Sequence, residues 1–141
     1  MKIAIINGPN LNLLGTREPE VYGNKTFDTY LNSLINIFPD AQFQYFQSNI
    51  EGELINAIQE YGFTTDGIIL NPAGYTHTSV AIGDAVAAIP AAVVEVHISN
   101  IFAREEFRKH SHVSAKCAGV ISGLGLKGYE LAVRYLIDSL K

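Results

Sequence analysis

At 141 residues, with 48% hydrophobic and 17% charged side chains, the chain has the size and composition of one globular domain that buries a core without metal or disulfide staples, so residues 1–141 read as a single domain. A formal charge of -4 with no basic block argues against nucleic acid or an anionic membrane as partner and favours a small molecule. The single cysteine, Cys117, excludes an internal disulfide and fits a reducing cytoplasm. It lies in an apolar run and reads as a small core residue.

Lys2 to Asn7 is a continuous β-branched run, too short for a signal-peptide core or a membrane span, and reads as a strand covered on both faces. An irregular loop follows, Gly8 to Asn24, reading GPNLNLLGTREPEVYGN, with no helical or alternating period. Loops of this length inside a compact domain are either functional or disordered, and the leucines argue against disorder. Thr26 caps a helix running to about Phe38, and Ala41 to Gln47 is a weakly alternating edge strand. Ile50 to Tyr61 has helical spacing with Gly62 as its stop, and Gly67 to Leu70 is a third strand. Thr78 to Ile89 is a small Ala-rich helix, Ala92 to Val96 a fourth strand, Ala118 to Ile121 a fifth and Leu126 to Leu140 a final helix. Periodicity is weaker from His97 to Lys116, with a short helix expected at Arg104 to Lys109. Strands alternating with helices predict an α/β three-layer sandwich. Five strands suit the flavodoxin-like parallel order 2-1-3-4-5, with the weak second strand at an edge.

In such sheets ligands bind beyond the carboxyl ends of the strands, near the switch in strand order. The first strand exits into Asn7, Pro9 and Asn10 and then Arg17 and Tyr22; the third exits into NPAGYTH, Asn71 to His77; the fourth carries Glu95, His97, Ser99 and Asn100. As central neighbours these exits converge on one cleft. Glu95 and His97 lie two apart on an extended segment and face the same side, so the carboxylate can orient the imidazole and stabilise its charged form for proton donation. A tyrosine with a pKa of about 10 is ionised at pH 7 in only about one molecule in a thousand. A guanidinium about 4 Å away supplies on the order of 4 kcal/mol at an effective dielectric near 20, enough to move that value by a few units. The loop alone leaves two readings of Arg17 and Tyr22 open: activator and base, or solvated cation and loop anchor.

Arg108, with Arg104, Glu105 and Glu106, reads on its own as a surface charge ladder, and Asp84 as a solvated helix face. No Cys/His cluster, G-x-G-x-x-G or Walker A run is present, so neither a metal nor a nucleotide cofactor is expected. The amides of Ile98 and Ser99, and the helix start near Thr76 to Ser79, can instead hold a carboxylate. No lysine falls at a strand exit in the cleft, which disfavours an imine. A flavodoxin-like binding module is the rival from another class, and a hydrolase using Ser99 and His97 is weakened by the lack of a G-x-S-x-G elbow.

The runs NGPNLNLLGTREPEVYG from Asn7, NPAGYTHTS from Asn71 and EVHISNIFAREEFR from Glu95 together resemble the type II 3-dehydroquinate dehydratases, in that family's order and over essentially the whole chain. Gly83, where an arginine is common, and Phe102 depart from its pattern. The resemblance implies conversion of 3-dehydroquinate to 3-dehydroshikimate and water, in aromatic biosynthesis or in quinate breakdown, without cofactor or metal. It implies Tyr22 as the base, Arg17 as its activator, Asn10 as a holder of water at the enolate oxygen, His97 as the acid and Glu95 as its support. Asn71, His77, Ile98, Ser99 and Arg108 match substrate-binding positions, and Asp84 one that reaches a neighbouring subunit's site, which reverses the bland readings of Arg108 and Asp84. A cytoplasmic homododecamer built from trimers is implied as well.

Overall fold

The computed structural model of the chain describes residues 1–16 and 26–140. Arg17 and Tyr22 therefore lie outside the described residues. Among the described residues, five parallel strands form one sheet in the order β2-β1-β3-β4-β5: β1 (Lys2–Asn7), β2 (Gln42–Gln47), β3 (Gly67–Asn71), β4 (Ala92–His97) and β5 (Gly119–Ser122). The helices between them are α1 (Phe27–Ile37), α2 (Glu51–Thr64), α3 (Val80–Ala87) and α4 (Lys127–Ser139). None is long and apolar enough to cross a membrane.

Alternation along the strands divides the core into two layers. Ile3, Ile5, Ile69, Val94 and Val96 pack with Leu34 of α1 and Tyr129, Val133 and Leu136 of α4. The intervening Ala4, Ile6, Ile68, Leu70 and Val93 pack with Leu54 and Ile58 of α2 and Ile82 and Val86 of α3. Strands β1 and β3 are apolar on both faces because helices cover both. Gln42 and Gln44 of β2 stay exposed because that strand is an edge. The same parity sends Asn7 and Asn71 toward α4, and Glu95 and His97 toward the α3 side.

Thr26 caps α1, its hydroxyl accepting from Thr29 N at 3.3 Å, and Ser79 caps α3 by accepting from Ile82 N at 3.0 Å. The expected stop at Gly62 does not occur, for α2 continues to Thr64. Gly62 is buried inside the helix, where a Cβ would stand 2.5 Å from the Ile89 side chain; its role is close approach of two elements rather than a C-cap. Strand β4 runs on to His97, so Glu95 and His97 both lie within regular strand. The segment after it contains short 3-10 turns, Ile101–Ala103, Glu106–Lys109 and Ser114–Lys116, in place of one short helix. Cys117 is half-buried against the α2/α3 layer, and burial pushes its thiol up to about 12.

Candidate active site

The cleft lies beyond the carboxyl ends of β1, β3 and β4, lined by Asn10, Leu14, Asn71, Ala73, His77, His97, Ile98, Ser99, Arg104 and Arg108 among others. Its deepest ionisable pair comes from β4. Glu95 is fully buried, and its carboxylate accepts from His97 Nε2 through Oε2 and from Ser114 Oγ, at 2.7 Å, through Oε1. Ser114 Oγ also lies 2.8 Å from Ser111 Oγ, and both serines come from the segment after β4. A buried carboxyl needs its oxygens satisfied, and the His97 ring nitrogen and the Ser114 hydroxyl supply the donors. With Nε2 committed to Glu95, Nδ1 is the His97 nitrogen available to a ligand.

Strand β3 ends in Asn71, whose Oδ1 accepts from Ala73 N at 3.0 Å. Ala73 has a positive φ of 55° and Asn10 one of 71°; among the described residues these are the only non-glycine positions of that kind, and both line the cleft. Left-handed alanine is disfavoured unless its surroundings hold it, and such strain clusters at functional sites. The turn Ala73–His77 then carries His77, whose Nδ1 donates to the His110 carbonyl at 2.7 Å. That bond leaves Nε2 of the neutral ring as an acceptor. Burial holds His77 below the ordinary histidine range, assisted by the charges of His97 and Arg108 and opposed by the His110 carbonyl and Glu95.

A stability dependence follows from that direction. The unfolded chain gains a proton at residue 77 as pH falls through about 6.5, while the folded chain resists it until lower pH, so acid costs stability in that window. His77→Gln is expected to flatten the fall in Tm between about pH 7 and pH 5 relative to the wild type. An unchanged slope would show that His77 does not contribute it.

The backbone after β4 turns two amides toward the cleft. The carbonyls of His97 and Ile98 accept from Gly123 N at 3.2 Å and Gly125 N at 3.0 Å, both on the β5 side. In a trans peptide the N–H points opposite to its C=O, so the amides of Ile98 and Ser99 both face away from β5, toward the exits of β3 and β1. Two cations share this space. Arg104 reaches Ser99 Oγ at 3.4 Å, and Arg108 pairs with Glu105 through Nε while its guanidinium stacks 5.0 Å over Phe107. Two guanidiniums and two parallel amides favour a small carboxylate ligand. Among the described residues no group of three His, Cys, Asp or Glu side chains converges as a metal site would.

The fold thus brings Asn10, Asn71, His77, His97, Ile98, Ser99 and Arg108 to one cleft, with Glu95 directly behind His97. Asp84 is not among them; it is exposed on the outer face of α3. Gly83 beside it is buried where a Cβ would lie 2.1 Å from the His112 carbonyl, so its lack of a side chain lets the segment 110–114 rest on α3 and present the His110 carbonyl and Ser114. Arg104 and Ser114 were not legible as site residues: the first looks like one rung of a charge ladder, and the second carries no motif at all. Arg104 lines the cleft rather than facing solvent as part of that ladder, because the irregular turn at Ile101–Ala103 swings it inward.

Residues 1–137 match the family described as Dehydroquinase class II. The chain belongs to that family. A 3-dehydroquinate dehydratase of Fusobacterium nucleatum is 55% identical, over 98% of this chain and 97% of the relative. A protein named catabolic 3-dehydroquinase 1, from Fusarium vanettenii, is 51% identical over 98% of this chain and 97% of the relative. The crystal structure of a type II dehydroquinase from Butyrivibrio crossotus superposes with a TM-score of 0.90 at 49% identity, covering 96% of this chain and 97% of that one. As a class II dehydroquinase the chain keeps the parallel 2-1-3-4-5 sheet, with its polar strand exits gathered at one end.

Proposed function

We propose that the chain is a 3-dehydroquinate dehydratase of the aromatic biosynthetic route, working without metal or cofactor. The observation that carries the catalytic part is the buried Glu95 carboxylate bonded to His97 Nε2 in the wall of a cleft that also holds two arginines. Tyr22, as a phenolate activated by Arg17, removes a proton from the carbon alpha to the ketone, and the electron pair of that C–H bond becomes the enolate. The enolate collapses to the conjugated enone as the C–O bond to the tertiary hydroxyl breaks. His97 gives its Nδ1 proton to that oxygen, which leaves as water, and returns to the neutral ring with Nε2–H still held by Glu95. Asn10 holds a water at the enolate oxygen. The amides of Ile98 and Ser99 take the substrate carboxylate, and Asn71, His77 and Arg108 take its hydroxyls.

The carboxylate placement is supported by the two parallel amides, and the neutral state of His77 suits it to accept from a hydroxyl rather than to donate. Asp84 is assigned to the cleft of a neighbouring copy. Exposed Val80, one turn earlier on α3, lies on the same side and suits a contact between copies in a trimer-based dodecamer. Quinate breakdown remains the alternative physiological role, and the cytoplasm is the assigned compartment. Purified protein mixed with 3-dehydroquinate is expected to generate the ultraviolet absorbance of a conjugated enone. No signal at high enzyme concentration would overturn the assignment.

Ser114 acts in this reading through Glu95. Ser114→Ala removes a hydrogen bond to a charged group, a loss of about 1.5 to 3 kcal/mol when the acceptor is left short of a donor. Roughly half of that, felt in the transition state, lowers kcat about 4- to 12-fold with KM little changed. Wild-type kcat in the variant would remove Ser114 from the relay.

A further inference from the structure

Beneath the cleft, a chain of side-chain hydrogen bonds joins four elements that are distant in sequence. Tyr129, on α4, is fully buried, its ring edge-on to Phe27 at 4.9 Å and Tyr30 at 6.2 Å. Its hydroxyl donates to Asn7 Oδ1 at 2.8 Å and accepts from Asn71 Nδ2 at 3.0 Å. Asn7 and Asn71 are paired in the β1–β3 register, so the phenol bridges the last residues of the two central strands. Asn7 Nδ2 in turn donates to Tyr45 Oη at 3.3 Å on the edge strand. Burial drives the Tyr129 hydroxyl well above the ordinary tyrosine range, so it keeps its proton at every working pH. Packing alone needs only a phenyl ring here; the hydroxyl is explained by the two asparagines.

These bonds determine what Asn71 offers to the cleft. Its Oδ1 accepts from Ala73 N and one Nδ2 hydrogen goes to Tyr129, which fixes the orientation of the amide and leaves the second Nδ2 hydrogen as its donor to a ligand. The same amide latches the left-handed Ala73, from which the turn to His77 departs. We propose that Tyr129 is a positioning residue for the dehydratase: it locks the Asn71 carboxamide as a donor to a substrate hydroxyl and, through Ala73, sets the turn that carries His77. The inference rests on the reading of Asn71 as a substrate-binding residue. Asn71 as donor and neutral His77 as acceptor then divide the substrate's hydroxyls between them by hydrogen-bond polarity.

The test is a double-mutant cycle on the full chain, with kcat and KM measured for Tyr129→Phe, Asn71→Ala and the double variant, and the fold checked by circular dichroism. Tyr129→Phe keeps the ring and is expected to lower kcat/KM about tenfold, mainly through KM. In the Asn71→Ala background the same change is expected to add less than twofold, since its route to the substrate is already gone. A Tyr129→Phe enzyme within twofold of wild type, or losses that multiply in the double variant, would overturn the proposal. If Asn71→Ala itself retains wild-type kcat/KM, the substrate-binding reading fails instead. Should Tyr129→Phe not fold, Asn7→Ser removes the acceptor of the hydroxyl and leaves the ring in place. It is expected to lower kcat/KM in the same direction, and an unchanged value would overturn the proposal.

Discussion

His97→Gln is expected to lower kcat by about 100- to 10,000-fold, the range that a positioned general acid contributes. Glutamine still offers an N–H to Glu95, so the buried carboxylate keeps a donor and the fold is retained. It carries no transferable proton, so the leaving oxygen must depart as hydroxide or take its proton from solvent. His97→Ala removes the donor as well and leaves the buried Glu95 carboxyl without its His97 partner. Breaking a buried pair in that way costs on the order of 3–5 kcal/mol, so the alanine variant is expected to lose Tm in addition to rate. Parallel rate and thermal-melt measurements on the two variants separate the catalytic effect from the structural one. A glutamine variant within tenfold of wild type would remove His97 from the acid role.

Tyr22→Phe is the second large loss expected, again about 100- to 10,000-fold in kcat, with KM changed far less. In the proposed mechanism the hydroxyl takes the alpha proton, so deleting that one oxygen is expected to raise the barrier and leave the affinity little changed. Rapid single-turnover kinetics distinguish slowed proton abstraction from slowed product release. Turnover near the wild-type rate would transfer the base role to another side chain.

Much of the fold follows from periods that the residues display openly. The runs IAII and GIIL have no polar face and belong at the centre of a sheet covered on both sides, and the alternating QFQYFQ belongs at its edge. Glu95 and His97 could be paired on spacing alone, because a strand places residues two apart on one side. Gly62 misled for a physical reason: a glycine that ends a helix and one that admits a neighbouring side chain have the same letter, and only the 2.5 Å approach of Ile89 separates them. The stretch from His97 to Lys116 was poorly legible because short 3-10 turns have no amphipathic period to detect. Arg104, just after the first of those turns, lines the cleft, and Ser114, at the start of the last, bonds to Glu95. The bonds of Asn71 to Tyr129 and Ala73 were equally hidden, since 58 residues separate the amide from the phenol that holds it.

The division of labour between Tyr22 and His97 is tested most directly by hydrogen exchange in the His97→Gln enzyme. Incubated with 3-dehydroquinate in D2O, this variant is expected to return substrate deuterated at the carbon alpha to the ketone, faster than enone appears, because the base still forms the enolate while loss of water is stalled. Product formation at the wild-type rate, or complete loss of alpha exchange in a folded variant that still binds substrate, would contradict the account.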